Sequence, residues 1–236
     1  DKGFIKHIQD NDTVFKQSNY YNSIKWMATA SDDLYVPDYI DMLRVAFTFK
    51  FSRGKFSDLV ALLSGRNFET RSYEDSIAES SYAKLSEGLE AFVNQTNYQR
   101  FVMIIKSTGL VSKKLISSHY SLNFAYALYL KLREDGMGEA ESQGYVKRWM
   151  VMSMFIGRYS GSAESHIDED IKQINEKGIK AYLKQMEQAH LGEGFWDFGI
   201  INDLESSSVN NNAYNLYLAA QINANAIAFL SKSMKI

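Results

Sequence analysis

The chain has no cysteine, so it can hold neither a disulfide framework nor a thiolate zinc site, and this usage fits a reducing cytoplasm. It has one proline, Pro37, and 14 glycines in 236 residues, which leaves few obligatory breaks and suits long helices. No run approaches the roughly 18 apolar residues of a membrane span, and no apolar signal core follows the N-terminal Asp-Lys-Gly-Phe. That start also lacks a methionine, so a piece of a longer protein is expected. Charge of one sign is missing too. A net charge of −2 and a pI near 6.1 do not make the whole domain a polyanion binder. A phosphate-cradling G-x-x-x-x-G-K-[ST] loop and a G-x-S-x-G nucleophile turn are both absent.

Aromatic bulk and helical periodicity are plentiful. Fifteen tyrosines and 14 phenylalanines can fill a core, and a chain of this length buries about 70% of its unfolded surface. No repeat of 20–50 residues and no low-complexity linker divides the sequence, so residues 1–236 read as one all-α domain. Nine to eleven helices are expected. Tyr145 to Arg158 is apolar on almost every side, which predicts a buried central helix. The turn from Tyr159 to Ser165 should stop it, with Ser165 capping the next helix and Asp168, Glu169 and Asp170 in that helix's favourable acidic start. Other helices are expected over 13–30, from Pro37 to Phe51, Asp58–Ser64, from a Ser72–Asp75 capping box to Asn94, from Thr96 or Asn97 toward Gly109, and His119–Glu134. Residues Ile167 to Ile174 and then Tyr182 to Met186 read as two helical pieces split at Gly178. Residues 191–209 read as irregular. A last helix over 212–230 should turn Leu216, Ala220 and Ile227 inward.

Few groups suggest chemistry. His7, His119 and His190 have no close partner at metal-ligand spacing. His166 and Asp170 share a helical face but lack a third ligand, so an acid-rich first turn explains them better. No catalytic residue is assigned, and neither a metal nor a cofactor is expected on this chain. Positive charge is more suggestive. Between Met42 and Arg71, six basic residues (Arg44, Lys50, Arg53, Lys55, Arg66, Arg71) face two acids, a net of +4, with Phe49, Phe51, Phe56 and Phe68 interleaved. Such a mixture can gather phosphates and stack bases, although a solvated loop with its aromatics in the core gives the same pattern. Lys147 and Arg148 lie early in the central helix, where the dipole disfavours cations, and neither has an acid one turn away. A buried ion pair with a distant carboxylate of the domain, or else a bound phosphate, should balance them.

Several segments carry a family likeness: Tyr21-Asn-Ser-Ile-Lys-Trp-Met27, Asp33-Leu-Tyr-Val-Pro-Asp-Tyr-Ile40, Leu62-Leu-Ser-Gly-Arg-Asn-Phe68, Asn123-Phe-Ala-Tyr-Ala-Leu128, Lys147-Arg-Trp149 and Gly157-Arg-Tyr-Ser-Gly-Ser162. In this order they resemble the helical middle region of a bacterial family related to the GmrSD-type modification-dependent restriction endonucleases. The resemblance implies a ParB-like N-terminal domain with a D-G-Q-Q-R motif and an HNH-type nuclease on either side of the helical region. It further implies a nucleotide triphosphate and a divalent metal bound in those flanking parts. Neither motif occurs in this chain, so no catalytic position of the family maps onto it. A helical connector in a phage-defence protein is therefore expected, with Lys50, Arg53, Lys55, Arg66, Arg71, Lys147 and Arg148 as the residues that could contact DNA. A pure interaction scaffold, holding partner domains or a second copy, is the alternative. A small-ligand binder or enzyme with a pocket near Trp149, His119 and Tyr120 is the third reading; a deep polar cavity there would favour it.

Overall fold

The computed structural model of the protein describes residues 19–31, 34–205 and 211–227. The first expected turn of the 13–30 helix, the 206–209 stretch and the end of the last expected helix lie outside them. Eleven α-helices run through the described residues: α1 (Asn19–Ala30), α2 (Tyr39–Phe51), α3 (Phe56–Leu63), α4 (Asp75–Val93), α5 (Gln95–Lys106), α6 (His119–Glu134), α7 (Glu139–Phe155), α8 (Ala163–Lys177), α9 (Ile179–His190), α10 (Ile200–Leu204) and α11 (Asn212–Asn223). A 3-10 turn spans Lys113–Leu115 and a π-helical turn Phe195–Gly199. An isolated bridge joins Arg66 and Tyr73, and no extended strand forms among the described residues. The fold is all-α, as expected.

The element enclosed on all sides is α6. Ten consecutive residues, Ser121 to Leu130, are buried. Its run Leu-Asn-Phe-Ala-Tyr-Ala-Leu-Tyr-Leu offers no charged face to water, and a helix of that kind is stable only inside other helices. Helix α2 packs on one side of α6 and α7 on the other, and α4 covers the far side of α2. Helix α5 lies across α4, α6 and α7, and α9 and α11 pack against α7. The helix expected at 145–158 exists as α7, but it begins at Glu139 and is less enclosed. It buries Val146, Trp149, Met150, Met152 and Met154 while leaving Lys147 half-exposed and Arg148 exposed. Those two adjacent cations keep one side of α7 at the solvent, so the central position falls to α6.

Two apolar clusters form the interior. The large one draws on α1, α2, α4 through α9 and α11. Aromatic pairs tie it together, with Phe101 stacked on Tyr126 at 4.6 Å and Phe124 against Trp149 at 5.3 Å. A smaller one, made of Ala46, Phe47, Leu59 and Leu85, sits between α2, α3 and α4. Helix α2 thus buries Phe49 in one cluster and Phe47 in the other, which is why its alternation of apolar residues resembles a strand.

Tyr159 and Asp170 bolt the α7–α8 turn to the core. Asp170 is fully buried and accepts hydrogen bonds from Arg158 Nη2 at 2.7 Å, Tyr159 Oη at 2.9 Å and Tyr182 Oη at 2.8 Å. Trp149 Nε1 in turn donates to Tyr159 Oη at 3.0 Å. Burial, and then the Asp170 charge, push the Tyr159 hydroxyl well above its ordinary value, so it stays a donor. The Asp168–Asp170 acids are not a helix start. Helix α8 begins at Ala163, which places them in its second turn and swings Asp170 inward.

Candidate functional site

The basic residues singled out in the sequence do not share one fate. Arg44 is 3% exposed and pairs with Glu164 at 3.2 Å, its guanidinium lying 4.2 Å from the Phe56 ring and 4.7 Å from that of Tyr120. Lys50 is held between Glu134 at 2.6 Å and Glu87 at 2.9 Å. Desolvation lowers its pKa, but these two carboxylates outweigh that and raise it, so the ammonium is committed to its partners. Arg53 pairs with Asp58 at 2.8 Å. Arg148 pairs with Glu187 of α9, at 3.0 Å from Nε, on the solvent side of α7 rather than in the buried ion pair expected for it. Lys50, Arg148 and much of Arg53 are therefore already neutralised, which removes the reason for placing an outside phosphate on them. Lys147 is half-exposed and has no ion pair among the described residues.

Lys55, Arg66 and Arg71 remain exposed. Arg66 and Arg71 belong to a compact loop between α3 and α4. Its neck is closed by Asn67 N–H donating to Ser72 O at 2.9 Å and Glu74 N–H to Gly65 O at 2.8 Å. Gly65 (φ +84°) supplies the left-handed residue that ends α3. Phe68 stands out from this loop with the guanidinium of Arg53 4.5 Å from its ring and that of Arg66 at 6.0 Å. The exposed loop thus presents a partly exposed aromatic ring with the Arg53 guanidinium lying over it.

A second site was half-visible in the sequence. The N-terminus of α6 and the N-terminus of α2 meet at His119 and Tyr120, and a cleft opens on either side of these residues. One, of about 270 Å³, is lined by Val36, Asp38, Ile40, Asp41, Arg44, His119, Tyr120 and Asn123. The other, of about 420 Å³, has Ser117, Ser118, His119, Tyr120 and Ser121 on one wall, and Ser153, Met154, Gly157, Tyr159, Ser160 and Asn212 on the others. His119 Nδ1 lies 3.6 Å from Asp41 Oδ2. Asp41 also accepts from Asn123 Nδ2 at 2.6 Å, and Asn123 Oδ1 accepts from the buried Tyr35 hydroxyl at 2.7 Å. Asp38 and Asp41 form a reciprocal capping box at the start of α2.

Electrostatics in the clefts follow from these contacts. The Asp41 carboxylate beside the ring raises the His119 pKa against an opposing desolvation. Burial pushes Asp41 up, but the neighbouring His119 and hydrogen bonds from Asn123 and the Asp38 N–H hold it below the ordinary carboxylate value. Asp38, desolvated and beside the Asp41 charge, is raised. His119 and Asp41 thus each favour the other's charged form. The third predicted neighbour, Trp149, is fully buried and takes no part. Asp41 and Asn123 lie 82 residues apart, beyond the reach of any local pattern. The signal that could have led to them is the single amide within the apolar run of α6, which must find a partner when buried.

The remaining polar groups are structural. Asp170 is turned toward Arg158, Tyr159 and Tyr182 and forms no pair with His166. Among the described residues no group of three or more histidine, aspartate or glutamate side chains converges to hold a metal ion, and no helix is long and apolar enough to cross a membrane. No protein-family model matches the chain, nor does any curated protein or solved structure.

Proposed function

We propose that this chain is the helical connector of a DNA-restriction, phage-defence protein, linking a nucleotide-hydrolysing module to an HNH nuclease and touching DNA through the loop between α3 and α4. The connector role rests on the resemblance of its segments to the restriction family. The DNA contact rests on one observation: the exposed Phe68 ring flanked by the guanidinium groups of Arg53 and Arg66. An aromatic face stacks on an unpaired base, while Lys55, Arg66 and Arg71 contact backbone phosphates. Nothing in this arrangement reads a base edge, so recognition of a modified base would belong to the flanking parts.

A mobility shift of the chain on duplex and single-stranded DNA at low salt tests the contact. Neutralising about three phosphates gives a log–log salt slope of about −2 to −3. The triple variant Lys55→Glu, Arg66→Glu, Arg71→Glu should lose the complex and weaken phage restriction by the parent protein. No shift at low salt, together with intact restriction by the triple variant, would leave only the scaffold reading.

A further inference from the structure

We propose that the larger cleft beside His119, at the N-terminal turn of α6, binds the phosphoryl group of a small phosphorylated molecule. The connector role neither requires nor excludes such a site, and the two are tested separately.

Four observations converge there. First, the cleft offers about 420 Å³, room for a phosphoryl group and part of the body that carries it. Second, none of its lining residues is an aspartate or glutamate. Its walls are hydroxyls, an amide, an imidazole and backbone, together with Met154 and the tyrosines Tyr120 and Tyr159. Third, α6 is 16 residues long, and the opening N–H groups of a helix have no intrahelical acceptor and carry the positive end of its dipole. Ser118, the N-cap, meets only one of them, accepting from Ser121 N–H at 3.4 Å. Fourth, Ser121 lines the cleft, is 1% exposed, and its hydroxyl has no hydrogen-bond partner. A buried hydroxyl left unpaired is costly, and a phosphoryl oxygen would give it an acceptor.

His119 completes the site. Asp41 anchors Nδ1 from the α2 side, so the ring has Nε2 left for a ligand. The charged groups around His119 are Asp38, Asp41 and, across the smaller cleft, Arg44, all from α2 and its N-cap. Across the cleft, the α7–α8 turn and α11 contribute only neutral groups such as Ser160 and Asn212. The Ser153 and Ser160 hydroxyls already donate to the Met150 and Gly157 carbonyls, so the donors left for a tetrahedral oxyanion are the helix turn, the ring and the second N–H of Asn212, whose first is held by Met154 O. The smaller cleft continues past His119 and Tyr120 and is lined by Asp38 and Asp41. Carboxylates there accept hydrogen bonds, so the body of the ligand should carry hydroxyl or amino groups.

The test uses the whole chain with inorganic phosphate, glycerol 3-phosphate and glycerol as probes. Calorimetry gives affinity, and backbone amide shifts give the place. Saturable binding of both phosphates is expected with a Kd of about 1 mM or tighter, with the largest shifts at residues 118–121 and none from glycerol. Replacing His119→Gln should weaken glycerol 3-phosphate by about tenfold or more, as expected for a lost charged hydrogen bond. Ser121→Ala should weaken it severalfold, and Arg148→Ala, distant from the cleft, should leave it unchanged. Affinity in the unaltered chain should fall as pH rises through the raised pKa of His119, so the proposal stays testable even where the His119 variant does not fold. Absence of saturable binding to both phosphates at about 10 mM, shifts centred elsewhere, or an affinity indifferent to both pH and His119→Gln would overturn it.

Discussion

Asp170 shows how much a single carboxylate can hold. It has no exposure, yet it receives Arg158, Tyr159 and Tyr182, and through Tyr159 it orients the indole of Trp149. Removing one member of a buried charge pair leaves the other uncompensated, which costs about 3–5 kcal/mol. Asp170→Ala should show that loss in urea unfolding, while Glu169→Ala, which removes only the more exposed partner of Arg158, should cost less than about 1 kcal/mol. The His119–Asp41 pair predicts a pH profile. His119 has a raised folded-state pKa, so its contribution is complete below its unfolded value of about 6.5 and is lost as pH climbs through the folded value. Asp41 is depressed, so its contribution holds above about pH 4 and is lost as pH falls through its folded value. Asp38, raised by burial, opposes Asp41 over the acid range. Thermal midpoints measured against pH should therefore decline on the alkaline side of the His119 titration. In His119→Gln that decline should flatten.

At the scale of elements, sequence pattern and structure agree where a helix is bounded by local chemistry. Helix α6 begins after Ser118, whose side chain caps Ser121, and it stops at Glu134 before Asp-Gly-Met-Gly, as its sequence says. The break at Gly178 also falls where it was read, at φ +78° between α8 and α9. Caps mislead when a polar residue has another use. Ser72 bonds Glu74 and Thr70 within the loop and caps nothing, so α4 starts after Glu74 without a side-chain cap. Ser165 lies inside α8, and Asn94, not Thr96 or Asn97, caps α5. Along α11 the inward register is Ala213, Leu216 and Ala219; Ala220 is on the outer side of the helix, and Ile227, also exposed, lies beyond its end at Asn223. The clefts were legible only as His119 and Tyr120, since their other walls come from α2, the α7–α8 turn and α11. What joins such distant elements is close approach, which composition does not reveal. Gly109 packs where a Cβ would overlap the carbonyl oxygen of Ala219, at φ +88°. Gly109→Ala should therefore cost at least about 1–3 kcal/mol, read as a lowered urea midpoint. Gly144→Ala, with open space around its Cα, should be neutral or slightly stabilising in the same assay.

For the molecule as a whole, the division of the interior into two apolar clusters decides how it should come apart. Nearly every helix contributes to the large cluster, so a cavity there loosens contacts on several elements at once. Phe101 has no exposure and stacks on Tyr126; Phe101→Ala should lower global stability by about 3–5 kcal/mol. The small cluster is different. Leu59 is its only fully buried member from α3, and beyond α3 lies the exposed loop that carries Arg66, Phe68 and Arg71. The other apolar residues of α3 in this cluster, Phe56, Leu62 and Leu63, are only partly buried, and regions of low contact density open before the rest. Hydrogen exchange should thus be faster over α3 and residues 65–74 than over α6. Leu59→Ala should speed it further there, while moving the global melting transition less than Phe101→Ala does. If both substitutions lowered the global transition equally and left local exchange alike, α3 would belong to the same cooperative unit as α6. The aromatic loop would then be a rigid face, and its DNA contact would have to form without adjustment.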